Sequence, residues 1–503
     1  MRTFLIFILI LLPLRINAQR EVVVSGNVPD YAGCVLSFFS NDNYISNTEV
    51  RVGECTVGAN GNFSCRIACG NIRSIYVYLG VFKAHLFMQP GFCYEVKLPS
   101  RTDKTPEESA SPFFEEEAIY LVVLSAKDDK GQVIDPEEEL NMQIIRFDEV
   151  FHPLYDQLAE DAIKRKPFQA DSIIRAFGKS IPQTNNRYFN DYAAYRTGLL
   201  YFAAQQGGVK NISNTYFAGK PVLYDNSAYM TLFDTTYDKY FMYFGRTREG
   251  EPIYEAVNER ESFGELKRLL SRDGVLPSDS LCELVILKGI YDEFYADRFS
   301  RQSLLTVLDS VMMQTKIERH REIAGQIRSK ITKLLRGFAP PEFSLYNRDS
   351  TLVSPENYRG KYLYLMFCTT QNYACLRLYE QIAELHQTHG KWLQIAVVSA
   401  DDSFANMRDF AQKNQYTWDF LHYANDPDIL KKYDIRIFPT CFLIDPDGKL
   451  VLSPAPAAND NIERTLYREL QGKGIWDQYI KEGLIEDKRR TDKRFELNLS
   501  PTN

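Results

Sequence analysis

The last third of this 503-residue chain constrains the fold most, because apolar strands and helical segments alternate there. The pattern predicts strands and helices in turn, at 362–367 (strand), 375–389 (helix), 393–399 (strand), 403–414 (helix) and 435–445 (strand). Pro446-Asp447-Gly448 then favours a turn before a further apolar run at 449–452. This order indicates an α/β domain with a central sheet, which we place at residues 336–475.

Three motifs in this segment carry a resemblance to a known family. They are Gly337-x-Ala339-Pro340-x-x-Phe343-x-Leu345, Gly360-Lys361 ahead of the first strand, and Phe438-Pro439-Thr440 ahead of Phe442-Leu443-Ile444-Asp445 and Asp447-Gly448. With them the segment resembles the TlpA/ResA branch of extracytoplasmic thioredoxin-like proteins. The resemblance implies a thioredoxin-like fold in which Pro439 follows a cis peptide bond, an uncommon backbone feature, and faces the active site.

The chemistry of that family depends on a Trp-Cys-x-x-Cys motif at the start of the first helix. The first cysteine is a thiolate favoured by the helix dipole, and the second resolves the mixed disulfide. The resemblance places Cys375 at the resolving position and Asn372 at the nucleophile's position, with Tyr373 and Ala374 between them. Because an amide cannot form a thiolate, the ordinary dithiol cycle is lost on this alignment.

Two further cysteines, Cys368 and Cys441, are expected close to Cys375. Cys368 follows the first apolar strand, Cys441 follows Pro439 by two residues, and the resemblance implies that their strands are neighbours. Three interpretations stay open: buried thiols that pack as small apolar groups, a structural Cys368–Cys441 disulfide, or a rewired redox pair that includes Cys375.

The N-terminus has the features of a secretory signal peptide, which we place at residues 1–18. Arg2 supplies positive charge, residues 4–12 are apolar throughout, and Ile16-Asn17-Ala18 ends in a small residue. We therefore expect cleavage after Ala18; the alternative, a retained anchor, would need about 20 apolar residues. The mature protein is then expected to be periplasmic or secreted, with no transmembrane segment, where disulfides persist.

Residues 19–100 are predicted to form a small β-sandwich. Strands are predicted at 21–26, 74–79 and 94–98, and Asn60-Gly61 favours a two-residue hairpin turn. Five cysteines lie in this segment: Cys34, Cys55, Cys65, Cys69 and Cys93. One or two structural disulfides are the favoured interpretation. A zinc site at Cys65 and Cys69 is the alternative, although no second closely spaced pair of ligands accompanies them.

Residues 101–113 are predicted to be a linker, 114–335 a helical domain and 476–503 a polar tail. Asp135-Pro136 favours a helix start, and Pro153 is expected to kink or end that helix. Further helices are predicted at 186–205, 227–243, 261–272, 278–296, 302–315 and 317–335. The apolar stripes of these helices indicate core packing, and no catalytic constellation is evident in them.

Charge and motif composition exclude several classes of function. Lys and Arg number 59 against 66 Asp and Glu, so the net charge of −7 gives no nucleic-acid footprint. His386 and His389, near the end of the first helix of the last domain, lack a third ligand, so we expect surface histidines and no metal. No nucleotide-binding loop or nucleophile elbow occurs, and no cofactor is expected.

These observations lead to three hypotheses about function. The first is an exported thioredoxin-like protein with a degenerate Cys-x-x-Cys motif that binds an extracytoplasmic protein or peptide beside Pro439. The second is an active thiol-disulfide oxidoreductase that uses Cys375 with Cys368 or Cys441. The third is a non-enzymatic binding or structural protein of the cell envelope.

Overall fold

A computed structural model of the chain describes residues 20–485, except 106–107, 109–113, 166–168, 277, 402, 426–427 and 459–461. The predicted signal peptide at 1–18 lies outside the described residues, as does most of the predicted tail at 476–503. The described residues divide into two compact units, one up to Lys330 and one from Ile331 onward.

The N-terminal unit begins with strands that build two sheets. These strands are β1 (Arg20–Asn27), β2 (Val35–Asn43), β3 (Thr48–Thr56), β4 (Asn62–Cys69), β5 (Arg73–Leu79), β6 (Phe82–Met88), β7 (Cys93–Lys97), β8 (Glu117–Tyr120) and β9 (Val122–Lys127). One sheet has the strand order β4-β1-β7-β9 and the other has the order β3-β2-β5-β6-β8. The predicted strands at 21–26, 74–79 and 94–98 are confirmed to within a few residues.

The two sheets share one hydrophobic core. Alternate residues of β4 enter it, as the two-residue period of a strand requires, and these are Phe63, Cys65, Ile67 and Cys69. Gly61 has the positive φ of +82° expected for a turn after Asn60. Because β3 and β4 belong to different sheets, this turn links the sheets and does not close the predicted hairpin.

The strands continue beyond residue 100, which differs from the predicted linker and helical segment. β8 pairs with β6, and β9 pairs with β7, so these two strands complete one edge of each sheet. β8 has four residues, a run too short for strand alternation to be recognised in the sequence.

The rest of this unit is helical. Its helices are α1 (Leu140–Ile163), α2 (Ala170–Ser180), α3 (Arg187–Ala203), α4 (Val209–Ile212), α5 (Ser227–Thr236), α6 (Tyr240–Phe244), α7 (Ile253–Asn258), α8 (Phe263–Leu270), α9 (Asp279–Glu293), α10 (Arg301–Gln314) and α11 (Glu318–Thr332). The helix predicted at 227–243 is divided, because Lys239 has a left-handed φ of +50°. Within the described residues, no helix is both long and apolar enough to cross a membrane.

The first helix begins later and extends further than its sequence pattern predicts. The pattern places a start at Asp135-Pro136 and a kink or an end at Pro153, whereas α1 begins at Leu140 and continues through that proline. Glu139 caps the helix by accepting a hydrogen bond from the N–H of Met142 at 2.9 Å. Buried apolar side chains lie on both sides of the proline, so tertiary packing sustains the helix.

Direct contacts join the helices of this unit to its sheets. The side chain of Asn141 in α1 accepts a hydrogen bond from the N–H of Phe87 in β6 at 2.6 Å and donates to its carbonyl at 2.9 Å. Arg319 in α11 pairs with Asp42 in β2 at 3.3 Å. The strands and helices therefore form one compact unit where the sequence pattern predicts two domains.

The C-terminal unit contains one sheet flanked by helices. Its elements are β10 (Leu345–Asn347), β11 (Leu352–Val353), β12 (Tyr362–Cys368), α12 (Tyr373–His389), β13 (Leu393–Ser399), α13 (Phe404–Lys413), β14 (Asp419–His422), α14 (Ile429–Lys432), β15 (Thr440–Ile444), β16 (Leu450–Ala455), α15 (Ile462–Gly472) and α16 (Trp476–Lys481). The strand order is β11-β10-β14-β13-β12-β15-β16. The predicted alternation of strands and helices is confirmed.

The central strand β12 is buried along its whole length and separates two cores. One core receives Tyr362, Tyr364, Met366 and Cys368, and the other receives Leu363, Leu365 and Phe367. Trp476 and Tyr479 pack against the first core, and Ile485 is buried in it. The domain therefore extends past its predicted end at residue 475.

Candidate active-site region

The sequence-predicted site residues meet at one edge of the C-terminal sheet. β12 is parallel to β13, so the carboxyl ends of both strands, at Cys368 and Ser399, reach this edge. Thr440 opens the antiparallel strand β15 opposite Phe367. Pro439, one residue earlier, therefore lies at the same edge as Cys368.

Asn372 caps the helix that follows β12. Its Oδ1 accepts a hydrogen bond from the N–H of Cys375 at 3.2 Å, and its own N–H donates to Oγ1 of Thr369 at 3.2 Å. Asparagine is a preferred cap because its short side chain reaches an N–H that the first helical turn leaves unpaired. Tyr373 and Ala374, which complete the motif, are exposed to solvent.

The thiols of Cys368 and Cys375 interact, and both side chains are fully buried. The interaction with Cys368 lowers the pKa of Cys375, while burial and the charge of Asp401 oppose the shift. Burial raises the pKa of Cys368, and the contact with Cys375 raises it further. Negative charge is therefore better accommodated on Cys375, while Cys368 retains its proton.

Cys441 lies in the same buried cluster as the other two cysteines. It stands opposite Met366 in the β12–β15 pairing. Burial raises the pKa of Cys441 to about 12, although the interaction with Tyr364 acts to lower this pKa. All three cysteines therefore lie in one buried core, and the strongest interaction there is between Cys368 and Cys375.

Sequence reasoning missed the buried carboxylate of Asp401, which holds the loop between β12 and α12. Asp401 accepts hydrogen bonds from the N–H and Oγ1 of Thr370 at 2.9 and 3.0 Å, and another from Oγ of Ser399. The carbonyl of Asp401 accepts from Nε2 of His422 at 2.8 Å, while Nδ1 of this histidine accepts from the N–H of Ala424 at 3.3 Å. These partners place the histidine proton on Nε2.

A position rule would have identified this carboxylate. Asp401 follows the carboxyl end of β13 by two residues, and polar side chains at such ends converge at one edge of a parallel sheet. The negative charge of Asp401 raises the pKa of Cys375, so it disfavours a thiolate there. The loop anchor therefore also restrains the chemistry of the nearby thiol.

The loop that precedes β15 offers an open backbone. The Phe438–Pro439 peptide bond is cis, and Oγ1 of Thr440 donates to the carbonyl of Ile437 at 2.6 Å. Among the described residues, neither the N–H nor the C=O of Phe438 has a hydrogen-bond partner. Ile437 is 72% exposed and Tyr373, at the start of α12, is 74% exposed. This edge therefore presents unpaired backbone polar groups together with exposed apolar side chains.

The histidines near the end of α12 differ from the surface positions predicted for them. His389 is buried, with Nε2 at 2.9 Å from a carboxylate oxygen of Glu463, because the helix end is covered by α15. His386 lies 3.3 Å from Oγ1 of Thr417. Within the part of the chain that the structure describes, no group of three or more His, Cys, Asp or Glu side chains could hold a metal ion.

Comparison with known protein families agrees with this fold. The C-terminal unit contains a thioredoxin-like domain, since the thioredoxin-like family model matches residues 360–450.

The matches to individual proteins cover only part of this chain. The chain is 27% identical over 125 residues to the thiol-disulfide oxidoreductase ResA of Bacillus cereus, which covers 24% of this chain and 71% of that relative. The ResA of Bacillus thuringiensis subsp. konkukian is 26% identical over 125 residues, with the same coverage of 24% and 71%. A solved thiol:disulfide interchange protein from Bacteroides sp. is 22% identical, with a TM-score of 0.25, and the match covers 26% of this chain and 89% of that one.

Proposed function

We propose that this is an exported thioredoxin-like protein, related to thiol-disulfide oxidoreductases, that has lost the ordinary dithiol cycle. In its place the protein binds an extracytoplasmic protein or peptide beside Pro439. The observation that carries the proposal is the capping hydrogen bond from the N–H of Cys375 to Asn372. At the position where the family alignment places the nucleophile, this chain has a side chain that serves the helix and cannot become a thiolate.

The burial of the remaining thiols supports the loss of redox activity. Cys368 and Cys375 are fully buried, and Cys441 is nearly so. Thiol–disulfide exchange requires direct attack on a substrate sulfur, so its rate depends on access to the attacking thiolate. A favoured thiolate at Cys375 has no exposed surface from which to attack.

The open backbone at Phe438 supports binding of an extended segment. An incoming strand pairs with free N–H and C=O groups and places alternate side chains against the receptor surface. Ile437 and Tyr373 provide apolar surface at this edge. The partner that fits is an extended polypeptide segment with apolar side chains.

Export and the N-terminal unit complete the proposal. Residues 1–18 act as a signal peptide cleaved after Ala18, and the protein acts in the periplasm or is secreted. The two sheets with a shared core form a β-sandwich, and the helices that pack on it belong to the same unit.

Reduction of insulin with dithiothreitol as electron donor tests the redox part. We expect no acceleration by the wild-type protein and a gain of activity in Asn372→Cys, since the helix N-terminus favours a thiolate there. Asn372→Ser is the matched control, because serine also caps a helix but brings no thiol. Wild-type turnover that disappears in Cys375→Ser would overturn this part of the proposal.

Fluorescence anisotropy with a labelled, cysteine-free peptide of alternating valine and threonine tests the binding part. Ile437→Asp is expected to weaken binding at least about tenfold, because it places a charge beside the open backbone. Leu352→Asp is the matched control, since Leu352 is 51% exposed but lies in β11, at the far edge of the sheet. Equal effects of both substitutions, or no binding by wild type, would contradict the proposed site.

An active thiol-disulfide oxidoreductase is the second candidate, favoured by the interaction of Cys375 with Cys368, which lowers the pKa of Cys375. In this case Cys375 attacks a substrate disulfide and releases one substrate thiolate. Cys368 then attacks Cys375, releases the second and closes a protein disulfide. Activity lost in both Cys368→Ser and Cys375→Ser, but kept in Cys441→Ser, would establish this candidate.

A further inference from the structure

A second pair of cysteines lies where the two N-terminal sheets meet. β3 is the edge strand of the five-stranded sheet, and β4 is the edge strand of the four-stranded sheet. Cys55 lies near the end of β3 and Cys65 in the middle of β4. The turn between these strands brings both cysteines to the same side of the shared core.

A strand irregularity and a glycine bring the two side chains together. The pairing of β2 with β3 shifts between Phe38 and Phe39, which are opposite Gly53 and Arg51, so Val52 is an extra residue. Beyond this bulge Gly53 and Cys55 turn towards β4. A Cβ atom on Gly53 would lie 3.0 Å from Sγ of Cys65 and still closer to Ile67, so only glycine leaves room for the thiol.

The two thiols interact and differ in exposure. Their interaction lowers the pKa of Cys55 and raises that of Cys65. Cys65 is 1% exposed, whereas Cys55 is half-buried and reaches solvent. Burial raises the pKa of Cys65 to about 12 and also raises the pKa of Cys55, while the interaction with Cys65 acts to lower the pKa of Cys55. Cys55 is therefore the more accessible and the more readily ionised of the two.

The other cysteines of these sheets have different partners. The thiol of Cys69 donates to the carbonyl of Asn71 at 2.9 Å, and Cys34 lies 3.6 Å from a guanidinium nitrogen of Arg101. Cys93 is exposed on β7. The five cysteines thus contain one pair already placed for bond formation.

We infer that Cys55 and Cys65 form a disulfide that ties the two sheets together along one side. The oxidant is a small-molecule disulfide, such as oxidised glutathione. The Cys55 thiolate attacks one of its sulfurs, forming a mixed disulfide and releasing one glutathione thiolate. Cys65 then gives up its proton, attacks the sulfur of Cys55 and displaces the second thiolate. Two protein thiols are oxidised to one disulfide, and one oxidised glutathione is reduced to two thiols.

The bond acts mainly by restricting the unfolded chain. Residues 55–65 form a closed loop of eleven residues when the sulfurs are joined. Closing a loop of this size is expected to lower the unfolding equilibrium constant about 100-fold. β3 and β4 belong to different sheets, so the separation of these two edge strands is the opening that the bond prevents.

Peptide mapping of the full chain tests this inference directly. No Lys or Arg lies between the two cysteines, so trypsin yields one peptide, residues 52–66, that contains both. After incubation with oxidised glutathione and alkylation of free thiols, we expect this peptide unalkylated and lighter by two hydrogen masses. Chymotryptic cleavage after Phe63 should leave its fragments joined until a reductant is added.

Variants connect the bond to stability. By far-ultraviolet circular dichroism, the urea midpoint of the oxidised wild type should fall on reduction, and Cys55→Ser should remove this difference. Cys93→Ser is the matched control and should keep it. Glutathionylation of Cys93 shows that the oxidant has reacted with the protein. If the peptide of residues 52–66 is then recovered with Cys55 alkylated or glutathionylated, the inference is overturned.

Discussion

Replacement of Asn372 by alanine tests whether this residue serves the helix. The substitution removes the Oδ1 acceptor that the N–H of Cys375 reaches at 3.2 Å. Loss of an Asn cap costs about 0.5–2 kcal/mol. Cys375 is fully buried, so water cannot easily replace the lost acceptor. We therefore expect a loss in the free energy of unfolding of about 1.5 kcal/mol, near the upper part of this range.

Tryptophan fluorescence makes the measurement specific to the C-terminal unit. The three tryptophans of the chain, Trp392, Trp418 and Trp476, all lie in this unit, so their emission reports its unfolding within the intact protein. With a urea m-value of about 2 kcal/mol/M, the midpoint of Asn372→Ala should fall by about 0.75 M.

A charged cap provides the discriminating control. Asn372→Asp retains an oxygen acceptor and adds a negative charge at the positive end of the helix dipole, so its midpoint should match or exceed that of wild type. If the alanine variant keeps the wild-type midpoint, or if aspartate is as damaging as alanine, Asn372 does not stabilise the helix start and the reasoning fails.

Two further predictions concern buried carboxylates. Glu283 accepts hydrogen bonds from His320 and Lys267, at 3.0 and 2.8 Å, and although burial acts in the opposite direction its pKa is lowered to about 2. The stabilisation by Glu283 is therefore complete above pH 4.5 and is lost as the pH falls towards 2. In Glu283→Gln, the free energy of unfolding measured by circular dichroism should therefore decrease less steeply at acid pH. An unchanged decrease at acid pH in this variant would show that other groups cause it. Asp401→Ala leaves the N–H of Thr370 without its acceptor and should cost about 2–3 kcal/mol by tryptophan fluorescence, more than Asn372→Ala. A smaller loss than that of Asn372→Ala would contradict the anchoring role assigned to this carboxylate.

The C-terminal domain is readable from sequence because its strands are buried on both faces. Residues 362–367 are a continuous apolar run, residues 395–398 are another, and such runs between helical segments are typical of parallel strands. The N-terminal unit is harder to read, since β8 has only four residues and Val52 shifts the alternation of β3 by one position.

The site could be predicted only in part. The resemblance placed Asn372, Cys375 and Pro439 together, because they belong to motifs that are local in sequence. The contact between the thiols of Cys368 and Cys375 depends on the rotation of α12 against β12, which no local pattern encodes. Asp401 could have been found from its position two residues after β13, but its partner Thr370 lies in another loop and could not.

The two cores on either side of β12 have a consequence for how this domain tolerates change. Neighbouring residues such as Phe367 and Cys368 enter different cores, so substitutions at these adjacent positions should have nearly additive effects on stability. Positions two apart, such as Met366 and Cys368, share a core and should be energetically coupled. Substitutions among the β12 side chains of the thiol-bearing core should therefore leave the packing of the opposite core largely unchanged.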